Sequence, residues 1–176
     1  MSTATASIAP AASSSTLPRL LIIDDEPGIR DSLDTLLTLE GFDVTMAPDG
    51  FQGLEVLSRQ DFDLLLLDLA LPGESGIDLL PRITEMHPHL PVIMITAFGT
   101  VNNVVDAIRA GAENFVQKPW DNEKLLADIR SAIARHKAEA EVIQLKRVLK
   151  QRYNFENIIG KSEPMLRLFD LSLIHI

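Results

Sequence analysis

The sequence contains no cysteine, which excludes disulfides, thiolate nucleophiles and cysteine-ligated zinc. That absence suits a reducing compartment, and cytoplasm is the expected location. Aromatic residues are scarce, at 5% with a single Trp and a single Tyr, so any core must be mostly aliphatic. Positive charge is in deficit: 16 Lys and Arg face 25 Asp and Glu, a net charge of −9. Such a field repels nucleic-acid backbones and anionic lipid surfaces, so neither nucleic acid nor membrane is expected as a direct partner. It does suit a cation site. No apolar run approaches the ~18 residues of a membrane span. Residues 1–18 carry no charge at all and consist largely of Ala, Ser, Thr and Pro, with Ile8 and Leu17 as sizeable hydrophobes. They have neither the basic start and apolar stretch of a secretory signal nor the arginines of a transit peptide, and a disordered leader is expected.

What is present from Arg19 onward is a regular alternation. Short runs at Leu20 to Ile23, Phe42 to Met46, Leu64 to Leu67, Val92 to Ile95 and Asn114 to Gln117 read as strands, those from Leu20, Leu64 and Val92 without a polar residue. Runs apolar throughout are the habit of parallel sheets covered on both faces. Between them lie helical patterns near 27–40, 49–59, 75–86 and 100–110, and a last helix begins at Asp121. Ile29, Leu33, Leu36 and Leu37 share one helical face, as do Val101, Val104, Val105 and Ile108, and Leu126, Ile129 and Ile133, the stripe of a helix packed on a core. Gly41 and Gly111 are placed to stop helices. The fold class is therefore α/β, a flavodoxin-like (βα)5 doubly wound parallel sheet of strand order 2-1-3-4-5.

Polar residues recur where the apolar runs end: Asp24 and Asp25, Asp68, Thr96 and Lys118. Ligands of such sheets bind beyond the carboxyl ends of the strands. With strands one and three adjacent, about 4.8 Å apart, Asp24, Asp25 and Asp68 must share one pocket. Crowded carboxylates take up protons or recruit a cation, and an all-oxygen set open to water suits Mg²⁺. A metal and the Lys118 ammonium around a remaining carboxylate suit phosphoryl transfer, with Asp68 as nucleophile and an aspartyl phosphate as product. The Thr96 hydroxyl could then bond a phosphoryl oxygen and report the modification. Taken singly, each residue reads as a cap, a turn or a solvated loop charge. Their ordered recurrence at four strand ends favours a site.

These residues, in the runs Leu-Ile-Ile-Asp24-Asp25-Glu26, Leu-Leu-Leu-Leu-Asp68-Leu-Ala70-Leu-Pro72-Gly73, Ile-Thr96-Ala97 and Lys118-Pro119, resemble the response-regulator receiver domain of two-component signalling over about residues 19–137. The resemblance implies that Asp68 accepts phosphate from a sensor histidine kinase. It implies that Asp25, Asp68 and the backbone carbonyl of Ala70 hold Mg²⁺ with Asp24 acting through water, that Lys118 pairs with the phosphoryl group, and that the Lys118-Pro119 bond is cis. It also implies switching through Thr96 and Phe115. Ala70 and Phe98 cannot orient an attacking water, so a long-lived phosphoryl group is expected. Two other functions remain open on the residues: a docking module that is never phosphorylated, and a Mg²⁺-dependent aspartyl phosphatase, whose expected second acid is replaced by Ala70. His87 and His89 flank Pro88 and read as surface residues.

Beyond the receiver, no Pro or Gly interrupts Asp121 to about Arg152, so the last helix continues as a C-terminal extension. Ala138, Val142, Leu145 and Leu149 follow heptad spacing over 138–153, a seam suited to a homodimer. Residues 154–176 contain Phe155-Glu-Asn-Ile-Ile-Gly-Lys161-Ser162 followed by Met165. A phosphate loop would need glycine where Phe155 stands. The segment instead resembles the start of the AAA+ domain in nitrogen-regulator-type sigma-54-dependent activators, with no ATPase machinery in this chain. Leu171 to Ile176 departs from that family's continuation.

Overall fold

The computed structural model describes residues 16–152; the Phe155–Met165 motif and most of the expected leader lie outside them. The elements alternate as β1 (Arg19–Ile23), α1 (Pro27–Leu39), β2 (Asp43–Ala47), α2 (Gly50–Arg59), β3 (Leu64–Asp68), α3 (Gly76–Met86), β4 (Val92–Thr96), α4 (Val101–Arg109), β5 (Asn114–Gln117) and α5 (Asn122–Arg152). The five strands form one parallel sheet in the order β2-β1-β3-β4-β5, the order expected from the sequence.

Successive strand side chains point to opposite faces, and each face has its own aliphatic core. Leu20 and Ile22 of β1, Leu64 and Leu66 of β3, and Ile93 and Ile95 of β4 pack with Leu33 and Leu37 of α1 and Leu125, Ile129 and Ile133 of α5. On the other face Leu21, Ile23, Leu65, Leu67 and Met94 meet Leu57 of α2, Leu79, Leu80 and Ile83 of α3, and Ala107 of α4. This is why the central strands β1, β3 and β4 read as unbroken apolar runs. Each fully buried Leu or Ile contributes about 1.5–3 kcal/mol of transfer free energy, and the three central strands carry most of them. Gly41 and Gly111 end α1 and α4 with φ of +88° and +110°, values that any side chain would strain.

Helix α4 departs from the sequence expectation. Its apolar stripe of Val101, Val105 and Ile108 does not lie on the core; these residues are 78%, 39% and 47% exposed, and Ala107 is the buried contact. The burial line runs through Val104 and Ala107, offset from the stripe, because a small side chain is what lets the backbone approach the sheet.

The chain divides into two units, residues up to Ile133 and residues from Ala134. In the first, α5 buries Leu125, Leu126, Ile129, Ala132 and Ile133. In the second, Val142, Leu145 and Leu149 are about half exposed among polar neighbours. Among the described residues no helix is long and apolar enough to cross a membrane.

Candidate functional site

The register of the sheet builds the site. Ile23 of β1 lies beside Leu67 of β3, so the next residues, Asp24 and Asp68, emerge side by side. Both are buried, whereas Asp25 is exposed at the mouth. One carboxylate oxygen from each of Asp24, Asp25 and Asp68 lies within 4.8 Å of the others. Lys118, which follows β5, reaches across β4 and β3: its Nζ donates to Asp24 Oδ2 at 2.9 Å, Glu26 Oε1 at 3.0 Å and Asp68 Oδ2 at 3.2 Å. The Lys118-Pro119 peptide bond is cis.

Backbone donors fix the acids. The Glu26 N–H donates to Asp24 Oδ1 at 2.8 Å and the Ala70 N–H to Asp68 Oδ1 at 3.2 Å. Arg30, on the second turn of α1, donates to the Asp24 carbonyl at 2.6 Å. Thr96 is buried at the end of β4, where its hydroxyl accepts from the Phe98 N–H at 3.1 Å and its carbonyl accepts from the Lys118 N–H at 2.7 Å. Phe115 is half buried and packs with the aliphatic core on the α3 side of the sheet. Ala70 is exposed and forms an isolated bridge with Ser75.

Electrostatically the pocket is short of positive charge. Burial, reinforced by the negative charge of Asp24, raises the Asp68 carboxyl from 3.8 to about 6, against the opposing pull of the Ala70 N–H and Lys118. For Lys118, burial alone would lower the ammonium, but hydrogen bonds to Asp24 and Glu26 and the charges of Asp68 and Asp24 outweigh it and hold the group above its ordinary range. The clustered carboxylates of Asp24, Asp25 and Asp68, with no sulfur or imidazole among them, form a hard-oxygen donor set, which fits Mg²⁺.

Three residues of the site escaped the sequence reading. Glu26 stands in the acidic run after β1 with no role expected for its side chain, and the structure places it at the N-cap of α1 within reach of Lys118. Arg30 carries no signal, since a polar residue on an amphipathic helix is usually solvated. Gly76 carries no signal either, yet a Cβ there would overlap the Asp68 carbonyl oxygen and press on Met94 Cε at 3.0 Å. Its bare backbone lets α3 close on the end of β3, where the Gly76 N–H donates to the Leu69 carbonyl at 2.8 Å.

Comparison with known proteins agrees in sequence and in structure. Residues 20–130 match the response regulator receiver domain family. The response regulator protein PilR of Pseudomonas aeruginosa is 36% identical over 150 residues, which cover 85% of this chain and 32% of PilR. The transcriptional regulatory protein GlrR of Escherichia coli is 34% identical over 151 residues, 86% of this chain and 32% of GlrR. A CheY-like receiver domain protein from Methanospirillum hungatei superposes with a TM-score of 0.68 at 32% identity, over 70% of this chain and 99% of that one. NtrX from Brucella abortus does so with a TM-score of 0.71 at 32% identity, over 87% of this chain and 33% of its own. The chain thus spans about a third of the length of PilR, GlrR and NtrX.

Proposed function

Because the chain belongs to the response-regulator receiver family of two-component signalling, we propose that Asp68 is its phosphoacceptor and that a sensor histidine kinase is the donor. The observation that carries this is one ammonium, on Lys118, bonded to both Asp24 and Asp68 in a pocket of three clustered carboxylates. In the transfer an Asp68 carboxylate oxygen forms the new O–P bond as the N–P bond of phosphohistidine breaks, and the leaving electron pair returns to the imidazole nitrogen. Asp68 must be ionised to attack. Lys118 offsets the charge of the incoming oxygens, and the Ala70 N–H orients the carboxylate through the oxygen it already holds. Asp25 and Asp68 with the Ala70 carbonyl would hold Mg²⁺, with Asp24 acting through water; the bound ion would neutralise the carboxylates and the phosphoryl oxygens.

Thr96 acts after the transfer. Its hydroxyl now accepts from the Phe98 N–H, and bonding a phosphoryl oxygen would reorganise the turn that leads from β4 into α4. A change of this kind biases two pre-existing arrangements rather than creating one. The output follows from Phe155 to Met165, whose resemblance to the start of an AAA+ domain supports control of sigma-54-dependent transcription through domains beyond this chain. The heptad seam on α5, with the receiver face of α4 and β5, supports a homodimer. An aspartyl phosphatase is disfavoured because Ala70 stands where its second acid belongs, and a docking module without phosphorylation leaves the Lys118 bridge unexplained.

The test is incubation with Mg²⁺ and acetyl phosphate, read by intact mass. A gain of one phosphoryl group that disappears in Asp68→Asn and on chelation supports the reading. Turnover of many phosphates from an ester, or no gain at all, contradicts it.

A further inference from the structure

Lys118 has three ammonium protons, and three carboxylates already occupy them: Asp24, Glu26 and Asp68. On the phosphoacceptor reading above, on which this inference rests, a phosphoryl group arriving on Asp68 needs at least one of those donors. The three partners are not equally free to leave. The Asp24 side chain is 2% exposed and its other oxygen is held by the Glu26 N–H. Asp68 is the acceptor itself. The Glu26 side chain is 58% exposed and can turn into water at little cost, as exposed ion pairs contribute only modestly.

We infer that Glu26 is a competing ligand for the Lys118 ammonium, holding one donor in the resting protein and releasing it when a phosphoryl group takes its place. Glu26 is then a positioning residue. It keeps Lys118 satisfied and aimed at Asp68 while the site is empty of phosphate, and it sets the population of the phosphoryl-bound arrangement because that arrangement must first break the Glu26 contact. Its structural duty is separate: the hydrogen bond to Asp24 comes from the backbone N–H and survives any side chain at this position except proline's. Substitution therefore removes the competition without dismantling the acidic pair.

Beryllofluoride, a non-covalent phosphoryl mimic, gives an equilibrium readout when titrated calorimetrically at saturating Mg²⁺. Glu26→Ala is expected to bind it about two- to fivefold more tightly than the natural chain, a gain that shrinks as salt screens the pair. Glu26→Asp keeps the negative charge at the mouth but is one methylene too short to reach Nζ, and it is expected to behave like Glu26→Ala. Unchanged or weaker binding in Glu26→Ala overturns the inference, and so does tighter binding in Glu26→Ala alone, which would indicate a general field effect. A natural chain that takes neither beryllofluoride nor phosphate sinks the phosphoacceptor reading itself, a different failure from an unaltered Glu26→Ala in a chain that takes both.

Discussion

Asp68 carries a conflict between stability and chemistry. Its carboxyl titrates near 6 in the folded chain against 3.8 when unfolded, so the folded state binds the proton more tightly. Stability from this group is fully present below about pH 3.8 and is lost as pH rises through 6, a change on the order of 3 kcal/mol. In metal-free protein, Asp68→Asn should therefore raise the denaturation midpoint at pH 7 and lose most of that advantage at pH 4; equal stabilisation at both pH values would contradict a charge origin. The neighbouring apolar positions make a second case. Ala70 is exposed and holds Asp68 only through its N–H, so Ala70→Asn should keep that bond while adding a group able to orient water. Phosphoryl loss from Asp68 should quicken severalfold, and an unchanged decay rate would count against the expectation. At this scale the clustering of side chains was readable wherever a residue type is rare in its setting, as with acids at the ends of Leu and Ile runs. It was unreadable where the role is an absence, as with the missing Cβ of Gly76, or a long reach, as with Arg30.

Among the elements, the three central strands were legible because burial on both faces leaves no polar residue until the sheet ends, so each of those runs marks both a strand and the edge of the site, whereas the edge strands β2 and β5 carry polar residues of their own. Helix α4 was half legible. Its stripe of Val101, Val105 and Ile108 is apolar, but hydrophobic spacing reports a face, not what covers that face. The junction of β3 with α3 gives the sharpest structural test. Gly76→Ala should destabilise the chain by about 1–3 kcal/mol, because the new methyl meets the fixed Asp68 carbonyl. Gly28→Ala, in the first turn of α1 with open space around it, should be neutral or stabilising by up to about 1 kcal/mol. Thermal melts of the two variants compare them directly, and similar melting temperatures would refute the close approach of α3 to the end of β3.

The whole molecule joins a receiver to a helix whose last turns carry an apolar seam. Val142, Leu145 and Leu149 are 48%, 62% and 46% exposed, and a two-stranded coil is the association their heptad spacing favours. In a parallel pair Glu141 of one copy would face Lys146 of the other, opposite charges flanking the seam. Sedimentation of the chain should show a concentration-dependent dimer that Leu145→Lys weakens by at least tenfold. An unaltered association constant would place the interface elsewhere. The overall topology was the most legible property of all, since five alternating units with right-handed crossovers admit few arrangements. The least legible was how three carboxylates share one lysine, which depends on register between strands far apart in sequence.

The central claim is that phosphate is carried by one particular carboxylate. Borohydride reduces an acyl phosphate to an alcohol, so chain treated with Mg²⁺ and acetyl phosphate, reduced and digested, should yield homoserine at position 68 by peptide mass spectrometry and aspartate or glutamate everywhere else. Homoserine at Asp24 or Asp25, the 5-hydroxynorvaline that a glutamyl phosphate would give at Glu26, or no homoserine at position 68 in a chain that has gained phosphate, would contradict it.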